Sequence, residues 1–390
     1  MNTIFEHMGV VKMLNNKNYS KETAIRIPIN TVEVFRGDGE YQYSHFPFIT
    51  YFNGQLIAMW HATEGDEISG EKEDILLSFS TDFLNWTAPM KFPIADEYKK
   101  RGIIQPGGFY IHNNTMNMYF STAQKIVDKK NKARFEDAKL YYITTENGKT
   151  FSEPVDMGKN IWMVMQPVKT STGKTICAGS FTFLYTDDEK ALGGFEKTSY
   201  LPKEVYEKYD DTECAYYETG KHIGLPVHLL EPTLLDYGNG NLKILFRSRD
   251  NREFVQLENE LYTHEVGDGL YATDSTDGVN WSPVYRTEFT NNDSRFSGGR
   301  LSDGRFYIVS NPNRLGLRLP LVLSLSEDGE NFDKHYIIRE DFNNIRNMGL
   351  YKQYGCQYPH SFEHDGFLYV IYSVCKEDVH ISRISLKDLK

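Results

Sequence analysis

A hairpin-forming unit returns along this 390-residue chain at intervals of roughly 60 residues. Each copy has a residue before proline, a short apolar run, a turn with Gly or Asn, and an alternating strand. The copies are HFPFITYFNGQLIAMW from His45, QPGGFYIHNNTMNMYFS from Gln105, QPVKTSTGKTICAGS from Gln166, EPTLLDYGNGNLKILFRS from Glu231 and YPHSFEHDGFLYVIYS from Tyr358. A copy without proline, RFSGGRLSDGRFYIVS, starts at Arg295 and fills the long gap between Pro232 and Pro359. A unit of this length cannot bury its apolar face alone, so neighbouring copies must stack.

A second, shorter repeat follows the hairpins: STDFLNW at Ser80, TTENGKTF at Thr144, STDGVNW at Ser275 and SEDGENF at Ser326. Each is a polar turn with an acid, then an aromatic. The acid can accept backbone N–H groups of its own turn, and the aromatic can plug the neighbouring sheet. Four copies cannot share one site, so these turns are structural.

Six units of four short strands describe an all-β, six-bladed β-propeller in a single domain spanning residues 1–390. The last unit has three obvious strands, and ETAIRIPINTVEVF near the N-terminus alternates like a fourth. That strand is expected to complete the last blade and close the ring. Residues 187–228 interrupt the spacing between the third and fourth blades. Their PKEVYEKYDD stretch suggests a short helix, and the segment is a candidate lid or specificity loop.

The net charge of −11 excludes a phosphate-backbone partner, since nucleic-acid binders need a basic face. No run is long enough to span a membrane. Glu6 and His7 stand where an export signal needs its apolar stretch, so a cytoplasmic location is expected. The four cysteines lack metal-type spacing and read as reduced thiols.

In a propeller the innermost strands start around the central channel. The residues before the repeat prolines are therefore expected to converge there: His45 with Phe46, Gln105, Gln166, Glu231 and Tyr358. A solvated strand end explains any one polar residue; a ring of them points to a binding site.

The turns resemble the Asp-box (BNR repeat) turns of the sialidase superfamily, and the six-unit repeat resembles its propeller. The resemblance implies a Glu that activates a Tyr nucleophile, and arginines that clamp a carboxylate. Glu231 and Arg247 resemble the Glu–Arg pair, Tyr358 the nucleophile, and Arg318 a second clamp arginine. Arg249 is a possible aid to them. The first-blade Arg-Ile-Pro of that family is replaced here by His45-Phe46-Pro47, while Arg26-Ile27-Pro28 precedes the first hairpin and reads as a structural strand. The general acid falls among Glu64, Asp66 and Glu67, with Asp66 chosen by position. A phenol with a pKa of about 10 is a poor nucleophile until a nearby base takes its proton.

The implied function is exo-type hydrolysis of a terminal, acidic sugar of an oligosaccharide, with Tyr358, Glu231 and Asp66 catalytic. His45, Gln105, Gln166, Arg247, Arg249, Arg318 and His360 would bind substrate. No metal or organic cofactor is implied. Two other readings stay open. His45, His61 and His360 with Tyr358 and Arg247 would suit a lyase acting on uronic acid sugars. A non-catalytic propeller would use the ring only to recognise glycan. The five-bladed glycosidases are disfavoured, because the first blade begins YSHFP, without the aspartate they need.

Overall fold

The computed structural model describes residues 13–67, 72–127, 133–208, 227–250, 269–313 and 317–390. Strand β1 (Asn30–Phe35) comes first and belongs to the last blade. Blade one is β2 (Tyr43–Phe52), β3 (Gln55–Thr63), β4 (Glu73–Ser80) and β5 (Met90–Lys91). A short helix α1 (Asp96–Lys99) leads to blade two: β6 (Ile103–His112), β7 (Thr115–Val127), β8 (Ala133–Thr145) and β9 (Val155–Asp156). Blade three is β10 (Met165–Lys169), β11 (Thr175–Ala178), β12 (Phe183–Thr186) and β13 (Glu196–Thr198), followed by α2 (Lys203–Tyr206). Blade four is β14 (Val227–Gly238), β15 (Asn241–Asp250), β16 (Leu270–Ser275) and β17 (Tyr285–Arg286). Blade five is β18 (Ser297–Arg300), β19 (Phe306–Ser310), β20 (Leu321–Ser326) and β21 (Lys334–Arg339). Blade six is β22 (Cys356–His364), β23 (Phe367–Val374), β24 (Asp378–Ser385) and, outermost, β1.

All six sheets are antiparallel and four-stranded, five of them simple meanders and the sixth completed by β1. The N-terminal strand pairs with β24, Val32 opposite Ile381, so the ring closes as expected. The expected interruption at 187–228 is narrower than its span suggests. Residues 196–198 are the outer strand of blade three, the short helix is α2, and 209–226 lie outside the described residues.

Tight turns join the inner strands. Asn53-Gly54, Asn239-Gly240 and Asp365-Gly366 each place two residues at positive φ, the backbone that matches the twist of flanking strands. The core is a ring of separate interblade layers. Phe48, Ile57 and Met59 of blade one pack on Ile104, Phe109 and Met118 of blade two. Trp60 and Ala58 on the opposite face pack on Ile371 and Ile381 of blade six. The other four junctions have their own buried clusters. Each buried large apolar side chain contributes about 1.5–3 kcal/mol, so the ring is held by the sum of its junctions.

The short turns are structural. Asp82, Asp277 and Asp328 each accept two backbone N–H groups of their own turn at 2.7–2.9 Å. In blade two Asn147, not the preceding Glu146, has this role. Trp281 of blade four packs edge-on against Phe183 of blade three, centroids 5.1 Å apart. Cys177, Cys356 and Cys375 are buried free thiols. Among the described residues no helix is long and apolar enough to cross a membrane.

Candidate active site

Bulges at the start of the innermost strands build the centre. The pairing of β2 with β3 skips between His45 and Phe48, that of β14 with β15 between Leu230 and Thr233, and that of β22 with β23 between Gln357 and His360. In each gap lies a residue followed by proline: Phe46, Glu231 and Tyr358. All three have positive φ, at 48°, 47° and 57°. A following proline disfavours the ordinary helical region, and a left-handed non-glycine residue costs about 1–3 kcal/mol. Strain of this size, repeated at equivalent positions, is held by the surrounding sheet.

This register corrects the expected ring. Phe46, not His45, is the equivalent of Glu231 and Tyr358; His45 aligns with Leu230 and Gln357. Blade five supplies a member that the proline pattern hides. Ser297 opposite Val309 matches Thr233 opposite Leu245, which sets Arg295 level with Glu231.

Tyr358 Oη donates to Glu231 Oε1 at 2.7 Å and accepts from Arg247 Nη1 at 2.6 Å. Arg247 Nη1 also donates to Glu231 Oε2 at 2.7 Å. The three groups are buried. Burial raises the Tyr358 phenol above its ordinary pKa, and the Glu231 charge adds to this, while Arg247 and Arg318 oppose it. Burial also works against the Arg247 charge, but Glu231 and Tyr358 outweigh it, so its pKa is raised.

The Arg318 guanidinium lies 5.3 Å from the centre of the Tyr358 ring and donates to Gln357 Oε1. Fully buried Asp293 stands between Arg318 and Arg249, at 3.9 and 3.8 Å. The His45 ring packs against that of Tyr358, tilted by 54° with centroids 3.8 Å apart, and neither of its ring nitrogens has a partner. Burial, then the Lys376 and Arg318 charges, hold its pKa well below the usual range, so the imidazole is neutral.

Other expected site residues commit their polar atoms elsewhere. Gln105 stays in the ladder opposite Ser121, because the blade-two bulge falls later, at Gly107 and Gly108. Its Nε2 donates to Met163 O at 3.4 Å. Gln166 Oε1 accepts from Phe109 N at 3.1 Å, tying blade three to that bulge. His360 Nδ1 accepts from Ile49 N at 3.2 Å, joining blades six and one, and burial lowers its pKa to about 3. His61 bonds Glu73 at 2.7 Å. Arg26 pairs with Glu340 beside blade five. Asp66 Oδ2 accepts from Leu350 N at 3.1 Å. Its neighbour Glu67 bonds Lys376 Nζ at 2.7 Å.

Lys376 and Arg295 went unassigned in the sequence. Lys376 lies in the β23–β24 turn, where both Cys375 and Lys376 have φ of 54°. The turn directs its ammonium to 5.8 Å from the Tyr358 ring, and burial lowers its pKa to about 8. In the sequence Arg295 is the first residue of the prolineless copy. Among the described residues one group could hold a metal, Glu33, Asp378 and His380, but Arg346 occupies both Asp378 oxygens.

The sequence matches the BNR repeat-like domain family over residues 54–370. The chain belongs to that family. Its six-bladed β-propeller is similar in fold to those of solved glycosidases. A solved sialidase matches 93% of the chain with TM-score 0.59 and 20% identity, and the chain covers 33% of it. The Trypanosoma rangeli sialidase matches 92% with TM-score 0.58 and 11% identity, with 60% of that protein covered. This member of the family therefore spans a third to three fifths of the length of those sialidases. The Penicillium chrysogenum alpha-L-arabinanase complexed with arabinobiose matches 93% with TM-score 0.57 and 14% identity, and 99% of it is covered. No curated protein sequence matches.

Proposed function

We propose that the protein is an exo-acting glycoside hydrolase that removes a terminal, acidic sugar from an oligosaccharide. The observation that carries this reading is the Tyr358–Glu231 hydrogen bond of 2.7 Å, with Arg247 bonded to both partners. A tyrosine buried beside a carboxylate has an acceptor for its proton, and tyrosine nucleophiles are a recognised alternative to two carboxylates in sialidases. The glycosidase names among the structural relatives support the class, and their bound sugars support a carbohydrate ligand.

Glu231 takes the phenolic proton as the Tyr358 oxygen bonds the anomeric carbon. The glycosidic bond breaks, and its oxygen takes a proton from an acid on the loop after β3. Glu64 is exposed, and burial of Glu67 is outweighed by Lys376 and its hydrogen bonds, which lower the Glu67 pKa and disfavour it as a proton donor. Asp66 remains the assigned donor. Water then attacks the anomeric carbon, Asp66 takes its proton, and Glu231 returns a proton to the departing phenolate. Arg247 and Arg318 stabilise the charge that moves through Tyr358. Two inversions give overall retention.

The neutral, unpartnered imidazole of His45 against Tyr358 favours one second reading, β-elimination on a uronate. A screen of 4-methylumbelliferyl glycosides, including sialyl and uronyl forms, tests the first. Release of umbelliferone by wild type and not by Tyr358→Phe supports hydrolysis. A product absorbing in the ultraviolet as a 4,5-unsaturated uronate supports elimination. Binding of glycan without turnover leaves a recognition propeller.

A further inference from the structure

The cations of the centre fall into two groups. Arg247 has Glu231, Arg318 has Asp293 and Gln357, Arg249 has Asp293, and Lys376 has Glu67. Arg295 has no ion pair among the described residues. It is 4% exposed. Its Nη2 donates to Val164 O at 2.6 Å, while Nε and Nη1 have no partner. Arg247 and Arg318 also leave Nε unbonded, but each has a carboxylate beside it.

The Arg295 guanidinium lies 5.3 Å from the Phe46 ring and 5.0 Å from that of Phe48. Such contacts offset part of the cost of burying a cation and leave its hydrogen-bonding capacity unmet. Phe46 adjoins Tyr358, centroids 4.8 Å apart. Five cations against three carboxylates leave the centre positive in a chain of net charge −11. A local field of that sign, opposite to the whole molecule, suits an anion.

We propose that Arg295 is the arm of the site that recognises the carboxylate of the sugar. This rests on the reading of the ring as a sugar site, and it moves anion recognition from the two expected clamp arginines to a residue of blade five. Arg247 is spent on holding Glu231 and Tyr358. Arg318 is spent on Gln357 and Asp293. Arg295 alone brings two unbonded nitrogens to the ring position shared with Glu231 and Tyr358. A guanidinium there pairs with a carboxylate through charge-assisted hydrogen bonds.

The test compares thermal stabilisation of wild type, Arg295→Met and Arg295→Lys by N-acetylneuraminic acid, glucuronic acid and uncharged glucose. Wild type is expected to respond more to the two acids than to glucose. Arg295→Met is expected to bind the acids roughly tenfold to a hundredfold more weakly, with glucose unchanged. Arg295→Lys should fall between, and it also serves if the Met variant does not fold. Equal responses of wild type to acids and glucose, no response to either, or acid binding by both variants within about twofold of wild type would overturn the assignment. Arg295-dependent acid binding without glycoside turnover removes the hydrolase reading alone. Turnover of acidic glycosides unaffected by Arg295→Met removes this inference alone.

Discussion

Tyr358 and Glu231, 127 positions apart in sequence, meet through a 2.7 Å hydrogen bond in which the phenol donates. Both side chains reach the axis because each residue occupies a bulge, with positive φ and a following proline. The bond joins blade six to blade four across the channel, and Arg247 fixes it from a third direction. A base already bonded to the proton it would remove needs no rearrangement to act.

Tyr358→Phe is expected to bring glycoside turnover to background. Glu231→Gln should lower it by about a hundredfold to ten-thousandfold, the usual range for a proton-transfer group. Removing the hydroxyl costs about 1–3 kcal/mol of stability, because it leaves buried polar partners short of one bond. Circular dichroism and chemical denaturation would show the fold retained. Normal turnover by Glu231→Gln would sink the mechanism.

Lys376 gives the site a pH dependence. Burial lowers its pKa to about 8, and the cation lies near the Tyr358 ring. Loss of its proton removes a positive charge that favours the developing phenolate. kcat/KM is therefore expected to fall as pH rises through about 8. Lys376→Met should be slower at pH 7, by about tenfold for a charge at this separation, and flat across that window. Lys376→Arg should keep the charge and extend activity to higher pH. The stability sign runs the other way. The unfolded lysine binds its proton more tightly, so stability rises between about pH 8 and the ordinary lysine value of 10.5.

The propeller was legible because each blade repeats one frame, and the pairing Tyr358–Glu231–Arg247 because those residues stand at fixed places in it. What escaped was set by bulge position. One residue decides whether His45 or Phe46 takes the bulge position, and the HFP string does not say which, though both rings end beside Tyr358. Gly107-Gly108 shift the blade-two bulge and leave Gln105 in the ladder. Arg295 lacks the proline that marks its equivalents. Lys376 lies in a turn outside the repeat, so only the folded ring brings it to Tyr358. Asp66 was chosen by loop position, and which acid such a loop presents depends on contacts with Leu350 and Lys376 from blade six's approach.

Ring closure predicts a stability effect far from the site. Strand β1 covers the edge of β24, and its Val34 is buried in the layer shared by blades one and six. Deleting residues 1–36 would expose that edge, with aggregation or loss of a cooperative transition as the expected result. Val34→Asp should cost about 3 kcal/mol or more, because it buries an unpaired charge. A cooperative unfolding midpoint unchanged by either alteration would mean that closure does not depend on this strand.

Asp277 offers the last test, of the turns rather than the centre. Its Oδ1 accepts from Val279 N and Asn280 N, and from the Ser275 hydroxyl, while Oδ2 accepts from the Asn280 side chain. Burial is the largest single influence and raises its pKa, but these hydrogen bonds together outweigh it and lower it to about 2. A depressed carboxylate contributes stability that is full above its unfolded value and lost as pH falls through the folded one. Asp277→Ala is therefore expected to cost about 1 kcal/mol at pH 7, a modest figure because the turn is partly exposed to solvent. The difference from wild type should shrink as pH falls from about 4 toward 2, and urea unfolding at the two extremes would measure it. Turnover should not change, since the turn lies outside the ring of Tyr358, Glu231 and Arg295. A variant equally destabilised at both pH values would show that the backbone bonds do not depend on the carboxylate charge.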